Sequence, residues 1–536
     1  MPAPSLLLLN GRVFAGRAEG VHEAIALAGN RVAALGTTRE IAALAGPGTR
    51  TIDLGGRLAT PGLIDAHMHL LPLGLTMVEL DLTPQAAPTL DALLARVAER
   101  AAALPKGAWV LARGYDQARL DVGRHPTRDE LDRAAPDNPA YIVRACGHVA
   151  ICNSLALRLA GIDETSRAPQ GGLIEADAHG RLTGLLAETA RDPVRAAIPD
   201  PSQAELVDAI ERAGRACLGH GIVGVMDAAV GMRAGMSELG AYDAAHEAER
   251  LPVRVSQCLL GGPGGIAEAA YEAGFRPGRG DARLKAKQVK IFTDGSAGGR
   301  TAAMSAPYLG APETRGLLSL TDDEMREYTR RYHDQGWQLA VHAIGDAAIE
   351  QTLDAMEAAL AAAPDPDRRH RIEHCGFARP DQTARMVRLG IEPVPQPVFL
   401  HDFGDLYVDV LGEARALPSY PTRTWIEAGL HPAASSDAPV CALDPRLSLE
   451  AMVTRRTRTG RVMDARERVS PDTALAAFTE FGAFVEKEEA TRGRLAPGML
   501  ADVAVFTQDF LADPDAVRDT RCAMTIVDGA IVHENG

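Results

Sequence analysis

Short apolar runs alternate with helix-like stretches through the central part of the chain. Eight of these runs are predicted strands, at residues 62–67, 222–227, 252–259, 286–293, 338–342, 370–374, 391–395 and 431–436. Strands that alternate with helices are typical of βα units packed around a parallel sheet. The pattern therefore predicts an α/β fold, a (β/α)8 TIM-like barrel that occupies residues 61–489.

Both chain ends have a different pattern, in which strands follow one another with turn residues between them. Residues 1–60 contain LLLLNGRVFAG and AIALAGNRVAALG, and residues 490–536 contain MLADVAVF and AMTIVDGAIVHENG. The Asn10-Gly11 pair predicts a β-hairpin between the first two strands. Because neither end has enough strands to be stable alone, we expect both ends to form one small β-sandwich domain together.

The interval between the first two predicted barrel strands is about 150 residues, far longer than an ordinary βα loop. It contains strand-like GAWVLARGYD and PAYIVRACG and the helix-like stretch HVAICNSLALRLAGI. We expect residues 75–200 to form an inserted α/β cap subdomain at the mouth of the barrel. Its candidate substrate-binding residues are Tyr115, Asp116 and His148.

The chain of 536 residues carries a formal charge of −15, with a pI of about 5.5. Proteins that bind nucleic acid normally show a basic surface, so this charge argues against nucleic acid as a partner. No apolar run approaches the roughly 20 residues that cross a bilayer, and the N-terminal leucines lack the basic residues of a signal sequence. The seven scattered cysteines predict reduced thiols. Together these features predict a cytoplasmic protein without a membrane partner.

The segment GLIDAHMHL, residues 62–70, ends a predicted strand with His67 and His69. Side chains on a strand alternate between its two faces, so both histidines point the same way and can bind one metal ion. Taken alone, the H-x-H motif also fits two polar histidines at the end of a strand. Further ligands decide between these interpretations.

Four further candidate ligands follow, each at or near the end of an apolar run: Lys290, His342, His374 and Asp437. In a parallel barrel the C-terminal ends of the strands meet on one face, where active sites lie. Lysine is rare in this chain, and its five lysines are Lys106, Lys285, Lys287, Lys290 and Lys487. Lys290 is favoured over its two strand neighbours because it lies nearest the C-terminal end of the run.

This order of H-x-H, lysine, two histidines and an aspartate resembles the amidohydrolase superfamily of metal-dependent hydrolases. Residues 290–308, 341–357 and 372–382 resemble its YtcJ-like branch, which includes N-substituted formamide deformylases. The resemblance implies two divalent metal ions and a carbamylated Lys290 that bridges them. The histidine-rich donor set favours zinc, with iron or manganese as alternatives. The implied ligands are His67, His69, Lys290, His342, His374 and Asp437.

Two such ions activate water and polarise a carbonyl group, and Asp437 can then carry the proton to the leaving nitrogen. The resulting prediction is hydrolysis of a small amide C–N bond, with an N-substituted formamide as one candidate. Ring deamination is disfavoured, because Gly345 stands where that chemistry usually places a glutamate. A cyclic amide, a carbamate or an ester are alternative substrates. A non-catalytic, metal-binding regulatory protein is the alternative outside enzymes.

The glycine-rich stretch DGSAGGRTAAM follows the fourth predicted strand on the ligand face of the barrel. Asp294 and Arg300 in this stretch either contact the substrate or belong to a tight turn, and the sequence leaves both alternatives open. The stretch lacks the GK[ST] ending of a phosphate-binding loop. A chain with this organisation is expected to form a homodimer that acts on a small-molecule substrate.

Overall fold

The computed structural model describes residues 3–169 and 171–535, which divide into two compact units. The second unit lies within Leu75–Ser202, and the first comprises the other described residues. Across the described residues, none of the helices combines the length and apolar character needed to span a bilayer.

Seven parallel strands form the central sheet of the first unit, and each pairs with the next along the chain. Every one of them overlaps a predicted barrel strand. A short strand, Arg279–Gly280, pairs antiparallel with the fourth. The seven strands are Leu63–Met68, Ile222–Val230, Arg254–Leu260, Leu284–Phe292, Gln338–Ala343, Arg371–His374 and Glu392–Val394.

The eighth predicted strand, residues 431–436, is not a strand. The segment still lies against the first barrel strand, where Asp437 N donates to His67 O at 2.9 Å. Its neighbour on the other side, the seventh strand Glu392–Val394, cannot form regular strand pairing with it. Glu392 N points to the sixth strand, so the nitrogens of Pro393 and Pro395 face residues 431–437 and have no hydrogen to donate. The sheet is therefore a nearly closed barrel of seven strands.

Helices connect the barrel strands, and their ends follow local sequence signals. Thr321 and Glu324 form a capping box at the start of Asp322–Asp334, and Gly390 ends Pro380–Leu389 in the left-handed conformation. The helix Leu70–Thr76 begins in this unit and ends two residues past its boundary at Gly74. The other helices of this unit are Thr38–Ala42, Gln203–Leu218, Ser237–Glu247, Ala267–Glu272, Asp346–Ala362, Val398–Leu411, Glu413–Ala416, Thr422–Glu427, Pro445–Thr454, Pro471–Ala477 and Glu480–Val485, with 3-10 turns at Pro366–Arg368, Ala465–Glu467 and Pro514–Val517.

Strands from the chain ends form two further sheets that share a core of residues such as Leu8, Ile25, Val503 and Met524. One sheet has the order Arg31–Gly36, Ala24–Ala28, Leu6–Leu9, Arg50–Asp53. The other joins both ends of the chain, in the order Ala530–Glu534, Cys522–Val527, Val503–Phe506, Leu58–Pro61, Arg12–Gly16, Gly20–His22.

The predicted hairpin at Asn10-Gly11 is wrong. Leu6–Leu9 and Arg12–Gly16 lie in different sheets, and Asn10 at φ 55° turns the chain from one sheet to the other. The physical reason is burial on both faces, since Leu6, Leu7 and Leu8 are all buried. A two-stranded hairpin cannot cover both faces of a strand.

The second unit contains a six-stranded sheet of its own. Its strand order is Gly172–Ala176, Leu182–Glu188, Val149–Cys152, Ala140–Arg144, Val110–Tyr115, Leu80–Asp81. Its helices are Leu90–Ala103, Arg128–Ala134, Ser154–Leu159 and Asp192–Ala197, with a 3-10 turn at Thr189–Arg191.

Candidate metal centre

Three of the predicted ligands form a compact group at the C-terminal end of the barrel. His67, His69 and Asp437 each offer one ligand atom, and these atoms lie within 4.8 Å of one another. Asp437 Oδ1 is 3.1 Å from His69 Nε2 and 3.5 Å from His67 Nε2. His67 lies in the strand Leu63–Met68 and His69 directly follows its last residue, so the H-x-H motif places both side chains at the same strand end.

Hydrogen bonds fix the ring orientation of both histidines in this group. His67 Nδ1 lies 2.5 Å from Glu373 Oε2, and His69 Nδ1 lies 2.6 Å from the carbonyl oxygen of Ala228. A carboxylate and a carbonyl oxygen only accept, so each Nδ1 carries the proton and each Nε2 keeps a lone pair. Both lone pairs are therefore available to a metal ion on the side of Asp437.

Asp437 supplies a carboxylate oxygen that lacks a partner. Among the described residues, no hydrogen-bond donor meets the buried Oδ1 atom of this side chain. A buried charged oxygen without a partner is unfavourable, and a cation between Asp437 and the two histidines would remove that cost. The donor set, two imidazoles and a carboxylate, therefore fits a divalent ion such as zinc.

Lys290 is the lysine that lies beside this group. Its side chain is fully buried, and its Nζ atom is 3.3 Å from His67 Nε2. Burial lowers the pKa of the Lys290 ammonium group. Lys285 and Lys287 instead bind Glu488, with Nζ–Oε1 distances of 2.5 and 2.8 Å. Of the three lysines on this strand, Lys290 is therefore the one that lies beside the candidate ligands.

The remaining two histidines continue the group as a row of imidazoles. The ring centroids of His67 and His374 are 4.9 Å apart, and those of His374 and His342 are 4.4 Å apart. His374 Nδ1 is 2.6 Å from Gln396 Oε1, which leaves Nε2 of His374 with a lone pair. His342 Nε2 is 3.3 Å from the carbonyl oxygen of Gly295, which leaves its Nδ1 free for a ligand role. All six predicted ligands thus adjoin one another.

Asp294 has its hydrogen-bond partners in the loops around His342. Its oxygens accept hydrogen bonds from the backbone nitrogens of Ala303, Ile344 and Gly345, at 2.8 to 3.0 Å. Asp294 Oδ1 also lies 3.3 Å from His342 Nε2. The side chain holds the loops around His342 in place. Arg300 is exposed in the same loop, with φ of 56°.

The three candidate residues in the second unit have partners within that unit. The buried Tyr115 hydroxyl is 2.9 Å from His125 Nδ1, and Asp116 pairs with Arg144 at 3.0 Å. His148 is exposed and lies 3.0 Å from Glu188. Their predicted contact with substrate remains a prediction.

Sequence reasoning missed Glu373, Arg371 and Gln396. Glu373 and Arg371 lie on the fully buried sixth strand, RIEH, where they pair with each other at 2.8 Å. Burial raises the pKa of Glu373, but Arg371 and His67 outweigh it and bring the pKa to about 2. Two opposite charges inside a predicted barrel strand were the available signal, because buried charges require partners.

Gly345, between His342 and the helix Asp346–Ala362, has no room for a side chain. A Cβ atom there would lie 1.9 Å from the carbonyl oxygen of Ala303, so the glutamate of a ring deaminase could not fit. We expect Gly345→Ala to cost about 1–3 kcal/mol of unfolding free energy, because backbone must move. Urea unfolding followed by circular dichroism measures this cost.

Gly240→Ala is the matched control for that prediction. Gly240 lies inside the helix Ser237–Glu247, and the nearest atom to an added Cβ is Gln203 Nε2 at 3.5 Å. We expect a gain of up to about 1 kcal/mol, since alanine favours helix over glycine. Equal unfolding midpoints for the two variants would contradict the steric explanation.

Comparisons with known proteins find similar sequences and structures among metal-dependent hydrolases. A model of the amidohydrolase family matches residues 50–533. The chain is 31% identical over 493 residues to YtcJ of Bacillus subtilis (strain 168), whose name assigns it to the amidohydrolases, covering 91% of each chain. It is 29% identical over 528 residues to the N-substituted formamide deformylase of Arthrobacter pascens, covering 96% of this chain and 95% of that one. The crystal structure of an uncharacterized metal-dependent hydrolase from Pyrococcus furiosus aligns with a TM-score of 0.78 at 29% identity, covering 94% of this chain and 99% of that one.

Proposed function

This chain belongs to the amidohydrolase family, and we propose that it hydrolyses the C–N bond of a small amide. The observation that carries the proposal is the group of His67, His69 and Asp437, whose ligand atoms face one another with an unpaired carboxylate oxygen among them. An N-substituted formamide is the first candidate substrate, because a relative that aligns along nearly the whole chain is named as a deformylase of such compounds.

We propose that the site holds two divalent ions, with zinc as the first choice. His67, His69 and Asp437 would hold one ion, and His342 and His374 the other. Lys290 would bridge them as a carbamate, which forms when a neutral amine takes up CO₂; the burial of Lys290 favours the neutral amine. When bound, the ions supply a Lewis acid for the substrate carbonyl and lower the pKa of water.

Asp437 is the proposed proton carrier of the reaction. It would accept a proton from water as the oxygen adds to the formyl carbon, and would deliver that proton to nitrogen as the C–N bond breaks. The balanced reaction converts R–NH–CHO and H₂O into R–NH₂ and formic acid.

Aromatic rings beside the imidazoles support an apolar substituent on the substrate nitrogen. The Phe399 ring stacks on His374 with a centroid distance of 6.0 Å, and Phe292 lies 5.3 Å from His342. Apolar walls with a few polar groups are typical of pockets for small organic molecules.

A substrate panel on the zinc-loaded protein tests the proposal. The panel contains aryl and alkyl formamides, N-acetyl amines, lactams, carbamates and esters, and both the released acid and the released amine are measured. We expect formamides to turn over fastest, with formate and amine in equal amounts, and we expect His67→Ala to show no turnover. Faster hydrolysis of the lactams, carbamates or esters would instead favour the alternative substrates.

A further inference from the structure

Glu373 connects a candidate metal ligand to the polar interior of the barrel. Its Oε2 atom lies 2.5 Å from His67 Nδ1. Arg371 binds the same carboxylate through two contacts, Nε to Oε1 at 2.8 Å and Nη2 to Oε2 at 3.0 Å. All three side chains are fully buried, so solvent screens none of these contacts.

Arg371 also holds the backbone next to His67. Its Nη2 atom donates to the carbonyl oxygen of Ala66 at 2.6 Å, and its Nη1 atom donates to Glu486 Oε1 at 2.8 Å. Glu486 therefore balances part of the guanidinium charge and keeps the arginine in place. The sixth strand thus fixes both the ring of His67 and the peptide group before it.

Neutral oxygens hold two neighbouring imidazoles: the Ala228 carbonyl holds His69, and the Gln396 amide holds His374. His67 has a carboxylate in that role. An anionic acceptor fixes the Nδ1–H tautomer and makes Nε2 a stronger metal ligand. We propose that Glu373, oriented by Arg371, is the positioning residue that prepares His67 for metal binding. The inference rests on the proposed function, in which His67 binds a divalent ion.

The test is the affinity of the protein for Zn²⁺, measured by competition with a chromogenic chelator. Glu373→Gln keeps an oxygen that accepts from His67 but removes the charge, and we expect zinc affinity to fall about 10- to 100-fold. Arg371→Met/Glu373→Gln/Glu486→Gln removes all three buried charges together, so it provides a second variant if a single change impairs folding; the same loss is expected. Unchanged affinity in either folded variant would overturn the proposal.

Glu392→Gln is the matched control. Glu392 is a buried carboxylate on the next strand that accepts from His431 N at 2.7 Å, and His431 is not a candidate ligand. We expect its zinc affinity to equal that of the unmodified protein. A loss as large as that of Glu373→Gln would mean that any buried charge affects the site, and would overturn the specific role.

A double-mutant cycle separates positioning from general structural support. If Glu373 acts through His67, Glu373→Gln should have no further effect on zinc affinity in a His67→Ala background. If the losses of zinc affinity caused by His67→Ala and Glu373→Gln multiply in the double variant, the proposal is overturned. If the unmodified protein binds zinc but hydrolyses no amide, the proposed function is rejected and this inference stands. If the unmodified protein hydrolyses amides but the Glu373 variants bind zinc as tightly as it does, this inference is rejected and the proposed function stands.

Discussion

Asp437→Asn is expected to lower kcat about 10²- to 10⁴-fold, the usual contribution of a positioned proton carrier. Asparagine retains an oxygen near His67 and His69 but cannot accept the proton of the attacking water. Asp437 has φ of 55°, a left-handed conformation in which asparagine is well tolerated, so the backbone should not change. Steady-state kinetics on zinc-loaded protein measures the effect, with metal content determined on the same samples by mass spectrometry.

Asp281→Asn is the control for that experiment. Asp281 lies at the opposite end of the barrel, where its Oδ1 atom accepts from the backbone nitrogens of Arg283 and Leu284. Asparagine can still accept both bonds, so kcat should be unchanged. If Asp437→Asn keeps full kcat with normal metal content, the proton carrier is another residue.

The adjacency of the candidate ligands could be predicted from the sequence because its determinants are local. The H-x-H motif places His67 and His69 at the end of the strand Leu63–Met68, and Lys290, His342 and His374 each lie at or near the end of an apolar run. Parallel topology then brings strand ends together without any further information. Their adjacency in the structure follows from these two rules.

The two wrong fold predictions, the strand at 431–436 and the hairpin at Asn10-Gly11, failed because of interactions between segments distant in sequence. The run of small residues at 431–436 led to the strand prediction, but regular pairing there also depends on the neighbouring segment, which contains Pro393 and Pro395. The sequence shows the two prolines, but it does not show the direction in which their nitrogens face. That direction depends on the pairing of Glu392 with His370. Likewise, the pairing of Leu6–Leu9 with Arg50–Asp53 could not be read from the Asn-Gly turn.

Glu373 illustrates the same limit at the site. Its sequence neighbour His374 was predicted as a ligand, whereas Glu373 was not singled out. Its contact with His67 spans 306 positions along the chain. Residues that bind an ion recur in recognisable residue types, but residues that orient them can be carboxylates, amides or backbone carbonyls, as Glu373, Gln396 and Ala228 show.

Lys290→Ala is expected to lower turnover at least about 100-fold and to recover part of it when a short carboxylic acid such as acetate is added. The side chain is fully buried with Nζ 3.3 Å from His67, so its removal leaves a space beside the candidate ligands. A small carboxylate can occupy that space and supply two oxygens in place of the proposed carbamate. The loss exceeds the 10- to 100-fold effect typical of groups that only orient a ligand. Turnover is measured against acetate concentration.

Lys285→Ala separates this explanation from a general effect of losing a lysine on the fourth strand. Lys285 pairs with Glu488, is partly exposed and has no contact with the candidate ligands among the described residues. It should retain turnover and show no response to acetate. Growth with ¹³C-labelled bicarbonate adds a direct measurement, since the carbamate carbon should give an NMR signal that Lys290→Ala lacks and Lys285→Ala keeps. Full activity of Lys290→Ala without acetate would contradict the proposed carbamate bridge.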